Sequence, residues 1–82
     1  MELQHPHYPR ITMDPAVCGG KPCLRGMRFP VTTLLGYLAG GMSVEEVLTD
    51  FPILEQEDVL EAIAFAAAVM DETYLPLQAI RA

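Results

Sequence analysis

From Phe29 to Ile80 this chain has no lysine and no arginine, while nine acids fall in the same span. A surface that binds nucleic acid by neutralising phosphates needs the opposite charge, so most of the chain is excluded from that work. Long apolar runs are missing too. The longest, Ala62 to Met70, falls well short of the roughly 20 residues of a membrane-crossing helix. The opening residues, MELQHPHYPR, have no basic stretch followed by an apolar one, so no secretory leader is expected. There are two cysteines, and with no export signal they are expected to be free thiols in a reducing compartment, the cytoplasm. Internal repeats and low-complexity tracts are also absent.

What is present is 82 residues, 51% of them hydrophobic, with a formal net charge of −6. A single domain of this size buries only about 60–65% of the surface its unfolded chain exposes, so its core is thin. Excess apolar surface favours sharing a core, and a homodimer is expected. The charge is unevenly placed. Residues 1–28 carry Arg10, Lys21, Arg25 and Arg28 against Glu2 and Asp14, a mildly basic head on a strongly acidic body.

Prolines in residues 1–9 oppose regular pairing, and a flexible arm is expected there. The single compact domain is expected over 10–75, with a β head at 10–29 and a C-terminal tail at 76–82. Within the head, Arg10 to Asp14 has strand character and ends at Asp14-Pro15. Gly19-Gly20 and Gly26 offer positive φ for two turns, the second between Leu24-Arg25 and Met27-Phe29.

Three helices follow, at about 31–39, 43–50 and 55–72. Val31, Leu34, Leu35, Leu38 and Ala39 keep the spacing of one helical face, and Gly40-Gly41 ends it. Ser43-Val44-Glu45-Glu46 is a capping box that starts the second helix, whose Val44, Val47 and Leu48 face inward. Phe51-Pro52 stops it. Acids at 55, 57 and 58 suit the positive end of the third helix dipole. In that helix Leu60, Ile63, Ala64, Ala67 and Met70 form one stripe. Phe65, Ala68 and Val69 lie off it and are assigned to the dimer interface. The fold class is therefore mainly α, a three-helix helix-turn-helix bundle behind a small N-terminal β-hairpin head.

The stretch CGGKPCLRGMRFPV, residues 18–31, concentrates the chemistry. It is no phosphate loop, because Pro22 follows Lys21 and no glycine precedes at the required spacing. Cys18 and Cys23, with His5 and His7, make a poor metal set, since the histidines sit on the proline-rich arm. Two thiols packing under a hairpin is the favoured reading, and no metal or cofactor is expected. No nucleophile-base arrangement assembles on ordered elements, so no enzyme is expected. Arg25 and Arg28 bracket Gly26-Met27, which could put two guanidinium forks at one turn. Lys21, Arg25 and Arg28 are the candidate partner-contact residues.

The run from Ile11 through Ala67 also resembles a prokaryotic family catalogued as domain of unknown function 433. The resemblance lies in a strand ending in Asp14-Pro15, then Gly20-Lys21-Pro22, Arg25-Gly26-x-Arg28, the Ser43-x-x-Glu46 helix, a proline turn and a final helix. Met27 and Glu55 depart from the family pattern, where threonines are more usual. The resemblance implies a homeodomain-like helical core and an antitoxin-like role beside a PIN-type nuclease toxin. Arg25 or Arg28 would then be set against that enzyme's catalytic acids. The alternative is a DNA-binding transcriptional regulator, although DNA binding is expected to be weak or absent.

Overall fold

The structure, a computed structural model, describes residues 1–72. Strand β1 (Leu3–Gln4), β2 (Ile11–Met13) and β3 (Cys23–Leu24) form an antiparallel sheet in that order. Three helices follow: α1 (Val31–Ala39), α2 (Val44–Asp50) and α3 (Gln56–Glu72). The expected boundary at 75 and the tail at 76–82 lie outside the described residues. Among the described residues, no helix is long and apolar enough to cross a membrane.

The first nine residues correct the expectation of a flexible arm. Leu3 pairs with Met13 and Gln4 with Thr12, and the His5 amide donates to the Ile11 carbonyl at 2.9 Å. Pro6 and Pro9 fall in the turn between β1 and β2, where a missing N–H costs no ladder bond. The Gln4 side chain closes that turn by donating to the Pro9 carbonyl at 2.8 Å. His5 and Tyr8 then pack on Phe65 of α3, with ring centroids 5.6 Å and 5.9 Å away.

Local signals set the helices. Pro30, extended at φ −63° and ψ 142°, caps α1. Ser43 and Glu46 make the reciprocal capping box of α2, at 3.0 Å and 3.1 Å, and the Ser43 backbone and side-chain bonds hold the Glu46 carboxyl below its ordinary range. The core joins Ile11 and Leu24 of the sheet to Val31 and Leu34 of α1, Val47 of α2, and Leu54, Val59 and Ala62 at and beyond the last turn. Phe51 ends α2 between Phe29, edge-on at 5.2 Å, and Tyr37, stacked at 5.1 Å.

The orientation of α3 differs from the stripe its sequence suggests. Its inward side is Asp58, Val59 and Ala62, continued by half-buried Phe65 and Ala66. Leu60, Ile63, Ala64, Ala67 and Met70 all face solvent. Phe65, assigned to a dimer interface, packs on His5 and Tyr8 of its own chain.

Candidate functional site

The hairpin at residues 24–29 turns on Arg25 and Gly26, both at positive φ (45° and 72°). The Met27 amide closes it onto the Leu24 carbonyl at 2.9 Å, the arrangement of a type I′ turn. Glycine meets this geometry freely, and a side chain at 26 would crowd the Glu2 carboxylate at 3.1 Å. Arginine does not meet it freely. A left-handed non-glycine residue costs roughly 1–2 kcal/mol and persists where its surroundings hold it.

Asp58 is what holds it. This carboxylate is fully buried in the first turn of α3. It accepts from Arg25 Nε at 2.9 Å and from Arg25 Nη2 at 2.8 Å, a two-pronged fork. Arg10 Nη1 donates to its other edge at 2.8 Å, and the Glu55 amide donates to Oδ2 at 2.8 Å. That last bond makes Asp58 the return half of a cap on α3, with Glu55 at the capping position. Arg10 also donates to Glu55 at 2.7 Å, and its backbone N–H donates to Glu61. Arg25 Nη2 reaches the Ile53 carbonyl at 2.6 Å.

The sheet explains why an acid is needed here. The Arg25 amide donates to the Arg10 carbonyl at 2.7 Å, one step beyond the Ile11–Leu24 pair. Two arginines side by side just beyond the ends of paired strands repel each other, and Asp58 bonds both guanidinium groups. Burial pushes the Asp58 carboxyl up, but bonds from Arg25, the Glu55 N–H and Arg10 outweigh it and hold it below the ordinary range. The same bonds push both arginines up: Arg10 through Glu55 and then Asp58, Arg25 through Asp58. Both Asp58 oxygens are taken up by donors, so this cluster is a clamp between head and helix.

Of the three residues expected to contact a partner, Arg25 is thus committed within the chain. Lys21 and Arg28 are exposed and make no ion pair among the described residues. Cys18 and Cys23 are free thiols, the first half-buried and the second buried. Burial, then the neighbouring Cys18 thiol, push the Cys23 thiol up, away from thiolate chemistry. Among the described residues no cluster of three or more histidine, cysteine or acidic side chains is placed to hold a metal.

Arg10, Glu55, Asp58 and Glu61 are the residues that sequence reasoning missed. One signal was available. Asp58, Ala62, Phe65 and Val69 keep helical spacing, and a stripe that begins with an acid asks for a buried cation to meet it.

The fold and clamp define a small domain in which a three-stranded meander is pinned by ion pairs to the last of three helices. Residues 11–66 match the family described as protein of unknown function (DUF433), and the chain belongs to it. It is 38% identical over 58 residues to the uncharacterized protein y4eO of Sinorhizobium fredii (strain NBRC 101917 / NGR234), a match covering 71% of this chain and 26% of that protein. It is also similar to the crystal structure of a DUF433 member from Anabaena variabilis ATCC 29413, with TM-score 0.71 and 33% identity. That likeness covers 77% of this chain and 62% of the other. The match thus spans about a quarter of the curated relative and under two thirds of the crystallised one.

Proposed function

We propose that this protein is a non-enzymatic interaction module of the cytoplasm, an antitoxin-like partner of a PIN-type nuclease that also self-associates through its helices. One observation carries the interaction reading: α3 is fixed to the head by the Asp58 clamp yet presents exposed Leu60, Ile63 and Met70 to solvent. A rigid scaffold with a contiguous apolar face is what a binding protein needs. The nuclease as partner rests on the family resemblance. With Arg25 engaged by Asp58, contact with the nuclease's acids falls to Arg28 and Lys21. Self-association draws on the apolar groove between α1 and α3, where Phe65 and Val69 face Pro22, Val31 and Leu35.

The second reading, a DNA-binding regulator, draws on the order α1–α2–α3 with a tight turn before α3, which fits a homeodomain-like helix-turn-helix. Its surface opposes it. The exposed side of α3 carries Glu57 and Asp71 and no basic residue, so phosphates are repelled.

The test is to produce the chain with the product of the adjacent gene and measure complex formation and nuclease activity. Inhibition is expected, weakened about tenfold or more in a Lys21→Ala/Arg28→Ala variant, as for loss of a paired charge at an interface. No complex and no inhibition would reject the antitoxin-like reading. A salt-resistant shift of duplex DNA would favour the regulator.

A further inference from the structure

An exposed side of α3, bordered at Leu60 and Ala64 by His7, Tyr8 and Arg10 of the head, repeats apolar residues at helical spacing. Leu60 is 57% exposed, Ile63 44% and Met70 61%, with exposed Ala64 and Ala67 between them. Two acids bracket this row. Glu57 stands one turn before Leu60 and Asp71 one turn after Ala67, both exposed. At the helical rise they are about 21 Å apart. Neither makes an ion pair among the described residues, and α3 contains no lysine or arginine.

We propose that this row receives an amphipathic helix of a partner protein whose apolar face carries lysine or arginine near both ends. The inference rests on the interaction-module reading and names its docking face and the chemistry of its occupant. The small side chains of Ala64 and Ala67 at the middle let another helix approach closely, with Leu60, Ile63 and Met70 packing around it. Charge decides against a second copy on this face. Antiparallel pairing centred on Ala64 sets Glu57 of one copy against Asp71 of the other at both ends. Parallel pairing sets each acid against itself. Like charges so opposed disfavour the pair, whereas a basic-ended helix turns both acids into complementary contacts and suppresses wrong partners.

The test uses the full chain and two synthetic helical peptides with the same leucine–alanine face, one with lysines at both ends and one with glutamates. Fluorescence anisotropy should show binding of the lysine-ended peptide, weakening about tenfold between low and high salt, and none of the glutamate-ended one. Ile63→Asp, at an exposed position, should abolish binding with the circular dichroism spectrum unchanged. Glu57→Lys with Asp71→Lys should reverse the preference between peptides. Equal binding of both peptides, or of neither, overturns the proposal. So does concentration-dependent dimerisation that Ile63→Asp abolishes, which assigns the face to a second copy. In the nuclease assay, full inhibition by Ile63→Asp with loss in Lys21→Ala/Arg28→Ala removes this docking face and leaves the antitoxin-like reading intact. Binding of the lysine-ended peptide without any nuclease inhibition does the reverse.

Discussion

The first turn of α3 and the two turns after it treat polarity in opposite ways. At the start of the helix a carboxylate is sealed from water among two guanidinium groups and a backbone amide. Shortly beyond it, leucine and isoleucine side chains stand in solvent. A buried charge is tolerable only where every lone pair finds a donor, and here the head supplies nearly all the donors. An exposed apolar row has no such compensation within the described chain, which is why it reads as a place for another molecule. Where polarity runs against the usual inside–outside rule, the reason at the clamp is internal and the reason proposed for the row is external.

Breaking the internal side should have the largest effect. Asp58→Ala leaves Arg10 and Arg25 facing each other and removes half of the α3 cap. About 2–4 kcal/mol of stability should be lost in urea unfolding, less than for a sealed pair because the guanidinium groups reach water. Next comes a paired comparison at the turn. Arg25→Ala loses the fork but keeps the left-handed backbone, whereas Arg25→Gly loses the fork and relieves it. The glycine variant should be the more stable of the two by about 1 kcal/mol. Equal stabilities would mean that the turn relaxes once the fork is gone.

Acid should dissolve the clamp in a defined window. The Asp58 carboxyl sits below its ordinary value in the folded state, so the stability it contributes is complete above the unfolded carboxyl pKa, about 4. It is lost as pH falls from there through the folded value. The stability gap between the parent and Asp58→Asn should therefore stay constant from neutral pH down to about pH 4 and close below it. A gap already narrowing near pH 6 would contradict the assigned direction. The smallest effect belongs to the external side. Leu60→Gln and Ile63→Gln should alter folding stability by no more than about 0.5 kcal/mol while weakening partner binding. A large stability loss would show that the row is covered within the chain itself.

Sequence reading located the helices well because their limits are written locally. The expected spans 31–39, 43–50 and 55–72 compare with Val31–Ala39, Val44–Asp50 and Gln56–Glu72. Pro30, the Ser43–Glu46 box and Phe51-Pro52 each act within a few residues of themselves. The facing of α3 was not legible in the same way. Its solvent row, Leu60 to Met70, is more hydrophobic than the row that packs inward, where Asp58, Ala62 and Phe65 mix an acid, a small residue and an aromatic. A reading by apolar spacing therefore follows the wrong side. The clamp escaped for a different reason. Arg25 and Asp58 are 33 residues apart and Arg10 and Asp58 are 48 apart, and no local pattern connects them. The N-terminal strand was hidden by its prolines, which in the structure mark the turn rather than the strand.

Those two separations also bear on the order in which the molecule can be built. A chain emerging from the ribosome makes residues 1–29 well before residue 58. During that interval Arg25 has no counter-charge and little to hold its left-handed backbone. The three strands hold only two or three residues each, a sheet too small to be expected to stand without packing on a helix, so the meander is expected to wait for the helix that follows it. Closing loops of that length early is unfavourable, since chain entropy opposes the contact until partly folded structure supports it. Residues 1–29, made before the helix that holds them, are therefore expected to be among the last to settle. Until residue 58 arrives, the head lacks the carboxylate that holds Arg10 and Arg25.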